Sequence, residues 1–420
     1  MTRIKIIFGC FIFLCATKLC AQTMLVQYID SALKNNPELQ TYQFKSEALQ
    51  QEIKPSEALD DPEIYAGVMN LPTNFSFTQD MMTMKQIGIQ QKFNIAKKYT
   101  LRGMVAQKGY EASTYDVEVQ KLFLIKEVKQ AYYELYSESK AIEITKKNIS
   151  VLKSYISIAN AKYSTGQGTQ QDVLKAQVEL SKMQEDLIET ESMKEHTIAV
   201  FNTLLARNIM DSVQVIPEIK FQKINLPMYP LMDAANANNP MVISSKIKMN
   251  EDSAAFALAK TSKIPDFTTG LWYGQRQAIM TDGNKAPDMI GFTIGMTLPI
   301  FSKQKQNPLI AESAINIQKS QSEVAATQNQ VKLMLHHVLI DAYKNEKLVS
   351  LYSEQLIPEA TENLNAGITG YQENKIDFMT LTDNFISLYN YQLQYYQAIA
   401  DYYKAIAEIE MLTGKKLINQ

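Results

Sequence analysis

The chain has 420 residues, 42 Lys+Arg against 44 Asp+Glu, a formal net charge of −2, and 46% hydrophobic side chains. That balance excludes an electrostatic nucleic-acid footprint. Cys10, Cys15 and Cys20 are the three cysteines, and beyond residue 21 no run of 18 apolar residues occurs. Disulfides, thiol chemistry and a membrane-spanning helix are therefore excluded together for the remainder.

Met1–Ala21 reads as a secretory signal: Arg3 and Lys5, an apolar run from Ile6 to Ala16, and Leu19-Cys20-Ala21 as cleavage site before Gln22. A lipidated Cys20 is the alternative, disfavoured by bulky Leu19. An exported chain without disulfides suits a Gram-negative periplasm or outer membrane.

Two weakly polar hairpins follow. Glu63–Pro72 and Lys85–Ile95 form the first, with Tyr65, Val68, Ile87 and Ile89 as wall residues and a loop through Asn74, Ser76 and Asp80. Asp266–Arg276 and Ile290–Ile300 form the second, with Leu271, Trp272, Phe292, Ile294, Met296 and Leu298. Residues 290–300 alternate large apolar with small or polar side chains without error, and Gly291, Thr293, Gly295 and Thr297 replace the charges of an ordinary wet face. About ten residues is the length of a tilted membrane strand. Trp272 and Tyr273 suit a membrane interface. Two strands of an ordinary sheet are the alternative for the hairpin alone.

Pro37 and Pro240, and Pro62 and Pro265, are each 203 apart, whereas Gly88 and Gly295, and Leu205 and Leu412, are 207 apart. The spacing shifts once, in a hairpin loop, which predicts a duplication: 22–212, a crossover at 213–230, and 231–420. After each hairpin the chain turns helical. Residues 110–165 and 309–357 lack glycine and proline and hold a heptad register through Val128, Leu135, Ile149 and Ala159, and through Val331, Leu335, Ala342 and Val349. The first run would reach roughly 80 Å as coiled coil. Gly166-Gln167-Gly168 and then Gly367 and Gly370 are expected to break the long helices, and each returning helix keeps register. The fold class is thus α+β, each half a long helical hairpin with a strand pair at its opposite end. Four strands cannot close a barrel, and open edges in lipid cost several kcal/mol per unsatisfied group. Several copies must share one barrel, continued by a helical coiled-coil tube.

The chain resembles the TolC-type outer-membrane efflux ducts. Tyr163-Ser-Thr-Gly166, Gly168 and Asp172-Val173-Leu174-Lys-Ala176-Gln177 carry the resemblance at one hairpin tip. At the second tip it is carried by Tyr371-Gln-Glu-Asn374-Lys375-Ile-Asp377-Phe378, preceded by Ile357-Pro358-Glu-Ala360; Leu298-Pro299-Ile300-Phe301 and Leu412-Thr413-Gly414 also fit. The resemblance implies a homotrimer in the outer membrane and its lipid, with a tube in the periplasm whose tips meet an adaptor (membrane fusion) protein and a proton-driven inner-membrane pump. It implies no enzyme activity and no cofactor. Asn374 stands where relatives carry glycine, and Met379 and Thr380 replace an acidic residue and valine, leaving open whether Asp377 or Asp383 forms an acidic constriction. Asp61-Pro62 through Gly67, Asn70-Leu71-Pro72, Met81–Lys85, Ile87–Gln90, Lys97-Lys98 and Arg102 resemble the heavy-metal branch, which implies copper, silver or cobalt-zinc-cadmium cargo. A drug-efflux or type I protein-secretion duct shares the architecture. A periplasmic adaptor should add soluble β-domains that are not evident, and a structural coiled coil leaves 291–300 unexplained.

Other chemistry has plainer readings. Met69, Met81, Met82 and Met84 are soft-ligand types for Cu(I), but also flexible apolar filler at a loop, the preferred reading. His336 and His337 point to different helix faces. Tyr391, Tyr395 and Tyr402 lie on the heptad seam, and Asp172 suits a helix first turn. No catalytic constellation emerges.

Overall fold

The structure, a computed structural model, describes residues 24–417. The expected signal segment and the three cysteines lie outside the described residues. Two compact units form: 43–116 with 243–327, and the segments up to 42, 117–242 and from 328 on. Each draws chain from both sides of segment 213–230.

Helix α1 (24–35) leads through Asn36, whose Oδ1 accepts the Leu39 amide at 3.1 Å, into α2 (Pro37–Glu57). Proline at the first helical position loses no hydrogen bond there. The first unit carries an antiparallel sheet in the order β1 (Glu63–Met69), β2 (Met84–Asn94), β3 (Asp266–Arg276), β4 (Met289–Met296). β3 has the expected bounds. β1 stops at Met69 because Asn70 takes a φ of 54°, a left-handed turn that asparagine tolerates. β4 stops at Met296 although the Thr297 amide still donates to Asp266 O at 2.9 Å. Pro299 has no N–H to continue the ladder. Leu298, expected as a wall strand residue, therefore lies beyond the strand. Residues of the two hairpins also pair directly, β2 with β3, making one sheet. β1 and β4 remain its edges among the described residues.

The long helices are α3 (Lys98–Ser164), α4 (Gln170–Leu204), α7 (Gln306–Leu351), α8 (Ile357–Gln372) and α9 (Phe378–Thr413), with α5 (Met228–Asn238) and α6 (Pro240–Lys260) between them. The chain passes from α7 to α8 through a π-helical turn, Tyr352–Leu356. Pro358 explains the wide turn: it cannot donate to the carbonyl four residues back, and its ring crowds that carbonyl. α8 then runs straight through Gly367 and Gly370, and the break falls at 373–377. This corrects the expectation that those glycines end the helix. Gly367 instead admits α9: a Cβ there would stand 3.0 Å from Asn384 Nδ2. No helix of the described residues is long and apolar enough to cross a membrane.

The heptad positions fill the core of the helical unit. Val128, Leu135, Val331, Leu335, Ala342, Tyr402, Ile409 and Leu412 are buried in one cluster, and Leu152, Ala159, Val173, Ala176 and Leu381 in a second nearer the tips. Segment 213–227 is extended without a strand partner, and tyrosines take over its backbone groups. Tyr403 Oη accepts the Gln222 amide at 3.0 Å and donates to Lys220 O at 3.1 Å, while Tyr402 Oη accepts the Ile224 amide at 2.9 Å. The tyrosine stretch thus does more than pack, because buried backbone donors need partners.

One buried carboxylate is poorly satisfied. Glu138 on α3 is 8% exposed; its Oε1 accepts the Thr197 hydroxyl at 2.8 Å, and Oε2 has no partner. Burial, and after it the neighbouring Glu134 charge, push its pKa up to about 7, against the Thr197 bond and the charges of Lys194 and Lys404. An acid whose pKa rises on folding favours the folded state fully below its unfolded value near 4.5 and loses that advantage as pH climbs to about 7. Glu138→Gln keeps the acceptor and removes the charge. It is expected to gain about 1–3 kcal/mol above neutrality and almost nothing at pH 4.5, read from thermal unfolding across pH.

Candidate functional site

Directly registered residues share a sheet face. Ile64, Ile89, Leu271 and Phe292 form one row across all four strands, and Ala66, Ile87, Tyr273 and Ile290 the next. The large side chains of both rows are exposed, Ile290 at 75% and Ile64 at 74%. Val68, Ile294 and Met296 continue this face, and Lys85 and Gln275 end it at the loops. So much contiguous exposed apolar surface marks a face that meets something apolar.

The other face is thin and polar. Glu63, Gln90, Gly270 and Thr293 make one row, and Tyr65, Gly88, Trp272 and Gly291 the neighbouring one. Tyr65 and Trp272, expected on the membrane strands, sit on the opposite face from Tyr273 and Leu271. The reason is parity, since one residue along a strand reverses the side. Their rings lie across the adjoining strand: a Cβ on Gly88 would stand 2.5 Å from Tyr65 Cζ, and one on Gly291 2.1 Å from Trp272 Cε2.

Several residues of the heavy-metal resemblance hold this sheet together. The Asn70 side chain donates to Met82 O at 3.2 Å, while its carbonyl accepts the Thr83 hydroxyl at 2.7 Å. Lys98 pairs with Asp266 and donates to Ile264 O at 3.2 Å. Those positions have structural work of their own.

The two helical tips are built on caps. At the first, Gly166 takes a φ of 71°, and Thr169 and Asp172 form a reciprocal capping box at 3.2 and 3.1 Å. The plain reading of Asp172 thus accounts for its carboxylate. Val173 is buried behind it and Tyr163 is 48% exposed. A Cβ on Gly168 would stand 3.1 Å from Lys162 Cβ, so the turn folds back on α3. At the second tip Asn374 takes a φ of 59°, doing the left-handed work of the absent glycine. Asp377 caps α9 by accepting the Thr380 amide at 2.8 Å, which holds its carboxyl below the usual range. Lys375 is exposed and pairs with Glu373 at 2.6 Å. Tyr371 is buried edge-on against Phe378, ring centroids 5.4 Å apart.

Lys162, which sequence reasoning missed, joins the tips. Its ammonium donates to Tyr371 O and to Asn374 Oδ1 at 2.6 Å and lies 4.4 Å over the Tyr371 ring. A cation at the orphan carbonyls of a helix end is favoured twice, by hydrogen bonding and by the dipole. A lysine one turn before a glycine break was the available signal. Lys162→Met keeps the stem and removes the donors. Amide exchange at 370–378 is expected to quicken about tenfold, as loss of a charge-assisted bond of roughly 1.5 kcal/mol requires, with the α3 core unchanged.

The sequence between α1 and α4 decides the relationship: residues 28–198 match the model of the outer membrane efflux proteins. No curated protein matches the chain. Among solved structures, the CmeC outer membrane channel of Campylobacter jejuni aligns with a TM-score of 0.79 at 15% identity, over 93% of this chain and 85% of that one. The outer-membrane channel OprN gives 0.78 at 16% identity over 93% and 89%. CusC gives 0.77 at 13% identity over 93% and 91%. At these identities the likeness is one of fold, and it extends past the matched segment to nearly the whole chain. The efflux-protein match agrees with the outer-membrane location and the TolC-type resemblance read from the sequence.

Proposed function

We propose that the chain is the outer-membrane channel of a tripartite efflux system. It passively conducts what an inner-membrane pump and a periplasmic adaptor deliver. The supporting observation is the sheet: one face exposes contiguous large apolar side chains, and among the described residues both edge strands lack partners on their outer sides. In lipid such edges leave backbone groups unsatisfied. A homotrimer resolves this by closing the four strands of each copy into one barrel, β1 of each against β4 of the next. The apolar rows then face lipid and the Gly, Gln and Thr rows face the bore. The duplication read as 22–212 and 231–420 gives two helical hairpins per copy, whose tips at Tyr163–Val173 and Tyr371–Asp377 meet the adaptor in the periplasm. Asp377 is committed to capping α9, so we place the acidic constriction at exposed Asp383.

Heavy-metal cations are the cargo we favour, on the resemblance of residues 61–102. A deletion strain tests this. It should lose copper, silver or zinc tolerance while keeping drug tolerance and protein secretion. Unchanged metal tolerance, with loss of either of the others, would transfer the reading to a drug or type I secretion duct.

A further inference from the structure

Three methionines and the chain's single tryptophan share the face that the proposed barrel turns toward its bore. Met69 is the register partner of Met84, and Met289 that of Gly274. Met84 also partners Arg276, whose Cα lies two residues from Gly274 on the same face. Gly274 leaves a gap into which its neighbours lean. A Cβ there would stand 2.6 Å from Met84 Sδ and 3.2 Å from Trp272 Cζ3, so thioether and indole meet over this glycine, and Met289 is its register partner on the far strand. Met84 is 5% exposed, whereas Met81 and Met82 in the adjoining loop are 46% and 49% exposed. The soft-ligand character of these methionines thus belongs to Met84 and its face neighbours rather than to the loop run.

Resting on the reading of this face as the lumen of a metal duct, we propose that Met84 and Met289, with the Trp272 ring beside them, form a soft-cation site near the outer mouth. It would take a monovalent thiophilic ion, Cu(I) or Ag(I). Thioethers select such ions over harder dications, and an indole face adds attraction for a desolvated cation. Among the described residues no group of three or more His, Cys, Asp or Glu could hold a metal, so a harder ion finds no comparable set there. Arg276, the register partner of Met84 on this face, has its guanidinium tied down by bonds to Pro287 O at 2.6 Å and Met81 O at 3.3 Å. Asp288, which accepts the Arg276 amide at 2.9 Å, offsets its charge. A conduit site must release as well as bind, so two thioethers and a ring, rather than a closed cage, suit an exit.

Trp272 makes the site self-reporting. Silver nitrate titrated into the purified full-length protein in chloride-free detergent buffer is expected to quench tryptophan emission saturably. Zinc nitrate should leave it unchanged. Met84→Leu with Met289→Leu, a volume-conserving pair, should raise the half-saturating silver concentration at least about tenfold, equivalent to about 1.4 kcal/mol. Met81→Leu with Met82→Leu should not. Quenching that never saturates, equal quenching by zinc, or an unshifted curve in the Met84/Met289 variant overturns the site; the first two need no variant to fold. A silver-tolerant deletion strain with saturable quenching would overturn the cargo reading and leave the site standing. A silver-sensitive strain without saturation does the reverse.

Discussion

Phe292→Arg is expected to abolish membrane assembly, while Thr293→Arg, one residue along the same strand, leaves the protein inserted. Phe292 sits in the row Ile64–Ile89–Leu271–Phe292, whose side chains point to the exposed apolar face. An arginine on a lipid-facing strand position near the midplane costs about 2–4 kcal/mol. In a closed ring every copy pays it at the same depth, so the loss multiplies with stoichiometry. Thr293 belongs to the opposite row, with Gly270 and Gln90, which in the proposed barrel turns to the bore, where a long cation would meet water. Heat-modifiable migration and outer-membrane fractionation read the difference. Equal loss in both variants would mean that the face assignment is wrong.

The second large effect is on conduction. Trp272 lies over Gly291 so closely that a Cβ would stand 2.1, 2.2 and 2.5 Å from three indole atoms. A rigid ring cannot yield that distance by bending, so Gly291→Ala must swing the indole off the wall and toward the bore. With one such ring per copy at a single level, unit conductance in planar bilayers is expected to fall measurably, because the narrowed strand-lined stretch adds resistance in series with the constriction placed at Asp383. Adding Trp272→Ala to Gly291→Ala should restore it. A conductance unchanged by Gly291→Ala would mean that this row does not line the bore.

Much of this architecture was legible because two periodicities differ so plainly. Residues 290–296 alternate by two, while Val331, Leu335, Ala342 and Val349 recur on a heptad, and the structure buries those four positions. What stayed hidden depends on contacts that periodicity does not encode. Parity identified an apolar face but not that the rings of Tyr65 and Trp272 lie over glycines of the neighbouring strands on the opposite one. Glycines at 367 and 370 looked like breaks, yet the helix runs through both, Gly367 gives α9 room, and asparagine at 374 makes the turn. Lys162 left only its place before the glycine break as a signal, because its partners lie some 210 residues away in sequence. The tyrosines of α9 read as seam, and their hydroxyls turned out to anchor an extended segment with no pattern of its own.

Everything above turns on whether single sheets join edge to edge around a bore. Electron-microscopic imaging of the detergent-purified full-length protein tests that most directly. Three copies around a hollow axis is the predicted particle. A single chain that stays monodisperse without detergent, its Ile64–Phe292 row in water, would contradict the account.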